Sequence, residues 1–149
     1  MQLSGEHHSP APPERVWEFM LDPAVLKASL PGCERLDATG PDEYSATMTI
    51  GIGPIKGKYE GTVKIADKHE PTDFRMLIEG KGGQGQVSGD GLISFIPENG
   101  GTLIKWSGDA QVRGMLARIG ARVIQPAAKS IVGHFFKSMD KHAESLAQS

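Results

Sequence analysis

The sequence predicts an α+β fold in which a curved antiparallel sheet of seven strands wraps on one long C-terminal helix. Three observations carry this. Residues 33–112 alternate apolar and polar side chains with period two between turn clusters, the mark of strands with one buried and one wet face. Residues 116–135 then place Leu116, Ile119, Val123, Ala127, Ile131 and Phe135 at three- and four-residue intervals, one stripe of a helix that can cover the sheet. At 149 residues the chain has the length of one domain, here read as 1–149.

The elements follow in order. Residues 2–8 form a short strand with Leu3, Gly5 and His7 on one face and Ser4, Glu6 and His8 on the other. Pro10-Ala11-Pro12-Pro13 ends it and starts an amphipathic helix of about two turns through Val16, Trp17, Phe19 and Met20. Asp22-Pro23, a cap followed by a first-turn proline, opens a second helix that runs to Ser29 and stops at Leu30-Pro31-Gly32. Turn clusters then fall at Gly40-Pro41-Asp42, Gly51 to Pro54, Glu70 to Asp73, Gly80 to Gly85 and Glu98 to Gly101. Between them the inward positions are Tyr44, Ala46, Met48 and Ile50; Tyr59, Val63 and Ile65; Phe74, Met76 and Ile78; and Ile104, Trp106, Ala110 and Val112. Pro126 falls inside the helical stripe and predicts a kink or break near Gln125.

Composition narrows the function. The formal charge is −2, so no global field favours nucleic acid as a partner. The charge is uneven: residues 1–112 carry a net −6 and residues 113–149 a net +4. Arg118, Arg122 and Lys129 fall opposite the apolar stripe, either as a solvated face or as the contact for an acidic partner or lipid headgroups. One cysteine excludes an internal disulfide, and the N-terminus lacks the pattern of a signal peptide. No run approaches the roughly 18 apolar residues of a membrane span. These features predict a soluble cytoplasmic protein.

The 19 glycines suggest what the interior is for. Gly57, Gly61, Gly89, Gly91 and Gly108 fall on the inward parity, where they either let the sheet bend or leave space. Small residues also recur on the helix at Gly120, Ala127 and Ala128, so the preferred reading is an enclosed apolar hollow on the order of a few hundred Å3. Its expected wall takes Met48, Tyr59, Met76, Ile78 and Trp106 from the sheet. From the helix it takes Met115, Leu116, Ile119, Val123, Ala127 and Ile131. Methionines on such a lining suit a flexible ligand.

Polar candidates are few. His7 and His134 are placed inward, where His7 is a candidate for orienting a ligand's carbonyl. None of the five histidines has metal-ligand spacing, so no metal site is predicted. Cys33 after its Pro-Gly turn reads as a small structural residue. The run Gly80 to Gly89 lacks a Gly-Lys-Ser/Thr ending and leads into a strand, so it is read as a hairpin at the cavity mouth rather than a phosphate loop. No strand presents an inward carboxylate to position a base, no catalytic residue is assigned, and no cofactor is expected.

Several motifs together resemble the CoxG family, the G-subunit family of carbon monoxide dehydrogenase, within the START-like (SRPBCC), birch-pollen-allergen-like superfamily with the helix-grip fold. They are Pro12-Pro13-Glu14-Arg15-Val16-Trp17, Leu30-Pro31-Gly32-Cys33, Gly53-Pro54-Ile55-Lys56-Gly57-Lys58-Tyr59-Glu60-Gly61, the Gly80–Gly89 stretch and Phe135-Phe136. The resemblance implies a non-catalytic accessory protein of a molybdenum hydroxylase that handles a quinone or lipid and contacts the membrane peripherally, at its inner face. Longer members carry a C-terminal extension that can anchor them, whereas this chain ends at Ser149, directly after the expected grip helix. A pure docking factor through the basic helix face, or a polyketide cyclase-like enzyme using His7 or Tyr59, are the alternatives.

Overall fold

Prolines and one short cap set the first elements. The structure, a computed structural model, describes residues 1–53 and 55–147, so Pro54 of the expected hairpin turn and the chain end at Ser149 lie outside the described residues. Strand β1 (Gln2–Ser9) leads into α1 (Pro13–Leu21) and α2 (Pro23–Ser29). Asp22 caps α2 as its sequence predicts, its side chain accepting from the Ala24 amide at 2.9 Å. Then come β2 (Cys33–Gly40), β3 (Glu43–Ile52), β4 (Ile55–His69), β5 (Asp73–Gly82), β6 (Gly85–Glu98) and β7 (Gly101–Arg113). Helices α3 (Met115–Ile119) and α4 (Ala121–Ala147) complete the chain. The strands form one seven-stranded sheet in the order β1-β7-β6-β5-β4-β3-β2, antiparallel throughout. This is the α+β helix-grip architecture expected from the periodicity.

The register aligns the inward residues in rows across the concave face. Tyr44, Val63, Ile78, Gly89 and Ala110 form one row; Ala46, Gly61, Gly80, Val87 and Val112 form the next. Apolar packing on this face gathers into two clusters. The first joins α1 and α2 to the far end of α4 and to the sheet through Trp17, Leu26, Phe74, Phe95, Phe136 and Met139. Trp17, Phe74 and Phe95 meet edge to face, with ring centroids 5.3–5.8 Å apart. The second, at the opposite end, contains Ile55, Tyr59, Leu116, Ile124 and Ala127.

The glycines divide between the two roles the sequence left open. A Cβ on Gly61 would lie 2.5 Å from the Glu79 carbonyl oxygen, and one on Gly108 would lie 2.8 Å from that of Asp90. These positions serve close strand approach and curvature. A Cβ on Gly80 would meet no heavy atom within 4 Å, and one on Gly89 would meet only a carbonyl oxygen at 4.0 Å. These face space.

The helix departs from expectation in one respect. It breaks at Gly120, with φ +93°, rather than near Gln125, and α4 runs through Pro126. The break resets the helical phase. Val123 turns outward at 46% exposure, while its neighbour Ile124 enters the second cluster at 4%. Arg118 stands on α3 while Arg122 and Lys129 stand on α4, so the three exposed cations do not share one helix face. His134 is exposed, not inward.

Candidate functional site

The middle of the concave face, between the two clusters, is where the interior stays open. Ile78 lies on the central strand β5 with the same parity as fully buried Phe74, yet it is 41% exposed. Gly80, two residues on, has open space above it. Helix α4 packs its backbone against α2 and β1, at the margins, more closely than against the central strands. On α4, half-buried Val132 packs against the first cluster and half-buried Ile131 against the second. A strip of apolar, glycine-lined surface around Ile78 and Gly80 thus remains accessible on the inward face.

The sequence-predicted lining is divided between this strip and the clusters. Half-buried Met76 and Trp106 pack against the first cluster, half-buried Ile119 and Ile131 against the second, in which Leu116 and Ala127 are buried, and half-buried Met48 belongs to neither. Trp106 lies directly over Gly5, where a Cβ would come within 2.5 Å of its ring. Met115 is 60% exposed and borders an open recess of about 520 Å3 made by Lys81 to Gln86 and Arg113 to Met115. This recess sits at the β5–β6 hairpin; the glycine run forms a hairpin as expected, although only Gly83 and Gln84 form the turn and Gly80 to Gly82 belong to β5. It is open, not the enclosed hollow expected. Sequence reasoning missed Gly80, which was read as turn, and Ile124, which the Gly120 break could have revealed.

Tyr59 and His7 are the polar groups on the predicted wall, and they differ. The Tyr59 side chain is buried, and its hydroxyl has no hydrogen-bond partner among the described residues. Burial raises its pKa, so the phenol stays protonated. Leaving such a hydroxyl unpaired costs about 1–3 kcal/mol. His7 is already engaged. Its Nε2 lies 2.5 Å from Asp140 Oδ2, its ring stacks on Phe136, and Ser9 Oγ donates to the other Asp140 oxygen at 2.8 Å. The carboxylate that no strand supplies therefore comes from α4, a pairing across 133 residues that sequence spacing does not signal. Asp140 thus bridges the serine and the histidine, accepting from the serine hydroxyl on one oxygen and pairing with the imidazole on the other. Cys33 donates its thiol to the Arg35 carbonyl, and burial raises its pKa, in keeping with a structural role.

With this geometry in hand, comparison with known proteins settles the lineage. The sequence profile of the carbon monoxide dehydrogenase G-subunit (CoxG) matches residues 5–144. The chain belongs to the CoxG family. A conserved protein of Geobacillus kaustophilus, whose crystal structure is known, superposes on this CoxG-family chain with a TM-score of 0.93. It is 32% identical, over 97% of this chain and 96% of that one. A START superfamily protein from Mycobacterium smegmatis shares the fold at TM-score 0.79 and 13% identity, covering 97% and 98% of the two chains. Ara h 8.0201 shares it at TM-score 0.70 and 19% identity, again over 97% and 98%. None of the curated proteins compared with the chain matches it. CoxG membership thus relates the chain to a subunit of carbon monoxide dehydrogenase, and the solved structures share its fold. Among the described residues no helix is long and apolar enough to cross a membrane.

Proposed function

We propose that this CoxG-family chain carries a hydrophobic ligand, a quinone or lipid, under its grip helix and presents it to a molybdenum hydroxylase of the carbon monoxide dehydrogenase type at the membrane. The observation that supports this reading most is the accessible central strip, with Ile78 41% exposed on the face that buries Phe74 completely. A chain evolved only to pack would fill that strip, because accessible apolar area forgoes about 25 cal/mol per Å2. The quinone and the enzyme come from the family; the residues supply an apolar, glycine-lined space. Mass spectrometry of an organic extract, after the purified chain is exposed to its native membranes, tests the reading. A stoichiometric prenylquinone or lipid is expected; a blank from well-folded protein contradicts it.

A docking role has its own support. Met115 and Val123 are exposed in the same stretch of chain as exposed Arg113, Arg118 and Arg122, an apolar and cationic combination suited to an acidic partner or headgroup surface. Reversing Arg118, Arg122 and Lys129 to Glu separates the two roles. Lost partner or membrane association with intact ligand binding is the outcome expected if these cations dock the loaded carrier.

A further inference from the structure

The second cluster contains one feature that packing alone does not explain. Tyr59 brings a hydroxyl into a group of otherwise aliphatic neighbours, Ile55, Leu116, Ile124 and Ala127 among them, none of which has a side-chain acceptor. The hydroxyl is shut off from solvent and unpartnered among the described residues. A phenylalanine would fill the same volume without a stranded donor. Two other polar side chains on this face have uses: Tyr44 donates to the Leu21 carbonyl at 3.0 Å, and His7 is taken by Asp140.

The surroundings of Tyr59 on the sheet are also unusual. Its same-face neighbours along β4 are Gly57 and Gly61, and directly across on β5 is Gly82, with Gly80 diagonal to it. The ring lies over Gly82 so closely that a Cβ there would come within 2.8 Å of it. On the β5 side the residues beside the ring, Gly80 and Gly82, carry no side chain, and a Cβ on Gly80 would meet no heavy atom within 4 Å.

We propose that the Tyr59 hydroxyl is the donor taken up by an acceptor oxygen of the bound ligand, so that the site selects apolar molecules bearing a carbonyl-type oxygen over plain hydrocarbons. This rests on the carrier reading above and assigns its polar contact to Tyr59 in place of His7. The raised pKa is consistent with it, since a phenol that stays protonated remains a donor.

Two nearly isosteric probes, 2-acetylnaphthalene and 2-ethylnaphthalene, differ by the carbonyl oxygen. Their affinities are measured by equilibrium dialysis on the full chain and on Tyr59→Phe, with thermal melting of both proteins. The expected result is a loss of about three- to tenfold for the ketone alone, with the hydrocarbon unchanged and the variant melting no lower than the parent. Equal losses for both probes, or none for either, overturn the assignment while leaving the carrier reading standing. A variant that melts markedly lower also overturns it, because the hydroxyl then has a structural partner. Binding of neither probe to the parent chain overturns the carrier reading and this assignment with it.

Discussion

Gly80 and Gly82 lie two residues apart on one face of β5 and do different things. At Gly82 a Cβ would come within 2.6 Å of the Lys58 carbonyl oxygen as well as crowding the Tyr59 ring, so Gly82→Ala is expected to cost about 1–3 kcal/mol. At Gly80 nothing stands in the way, and Gly80→Ala is expected to be neutral or to stabilise by about 0.4–1 kcal/mol through the unfolded state. Urea denaturation of the two variants checks the contrast. The tyrosines give a second prediction at this scale. Burial raises the pKa of both Tyr44 and Tyr59 above the ordinary 10.0, so each is harder to ionise folded than unfolded. Their contribution to stability is full below that value and is lost as pH rises through the raised folded-state values. Stability should therefore fall on the alkaline side of pH 10, and less steeply in Tyr59→Phe, as followed by denaturant midpoints against pH. The inward position of Tyr59 was legible from parity alone. Its stranded hydroxyl was not, because hydrogen-bond satisfaction depends on what the helix brings down on it.

Among the elements, the junction of α3 and α4 decides which residues reach the interior. The stripe from Leu116 to Phe135 reads as one helix only if Gly120 is passed over; its left-handed conformation stops α3 and restarts the count at Ala121. Ile124→Ala should then cost about 2–4 kcal/mol while Val123→Ala stays within about 0.5 kcal/mol, as measured by chemical denaturation. The reverse order would restore the single uninterrupted stripe. The other end of α4 is tied to β1 through Asp140, which accepts from Ser9 Oγ and pairs with His7. Asp140→Ala leaves buried Ser9 and half-buried His7 without their partner and is expected to cost about 1–3 kcal/mol in thermal or urea unfolding. The strands were legible because each turn cluster marks an end and each alternation marks a face. The His7–Asp140 pair was not, since contacts between the first strand and the last helix leave no local pattern.

For the molecule as a whole, the sequence's punctuation and periodicity define a sheet with one apolar side and a helix to cover it. What they leave open is the distance between the two. That distance follows from α4 resting on α2 and β1 at the margins, and it produces two packed clusters with an accessible strip between them. The carrier reading stands or falls on whether a hydrophobic ligand occupies this strip. A fluorescence titration of the chain and of Gly80→Phe with the uncharged apolar probe N-phenyl-1-naphthylamine, alongside their melting curves, decides it. Saturable one-to-one binding by the parent chain is predicted, weakened at least about tenfold when a phenyl ring fills the space above position 80, with folding intact. Equal binding by both proteins, or no binding by either, would contradict it.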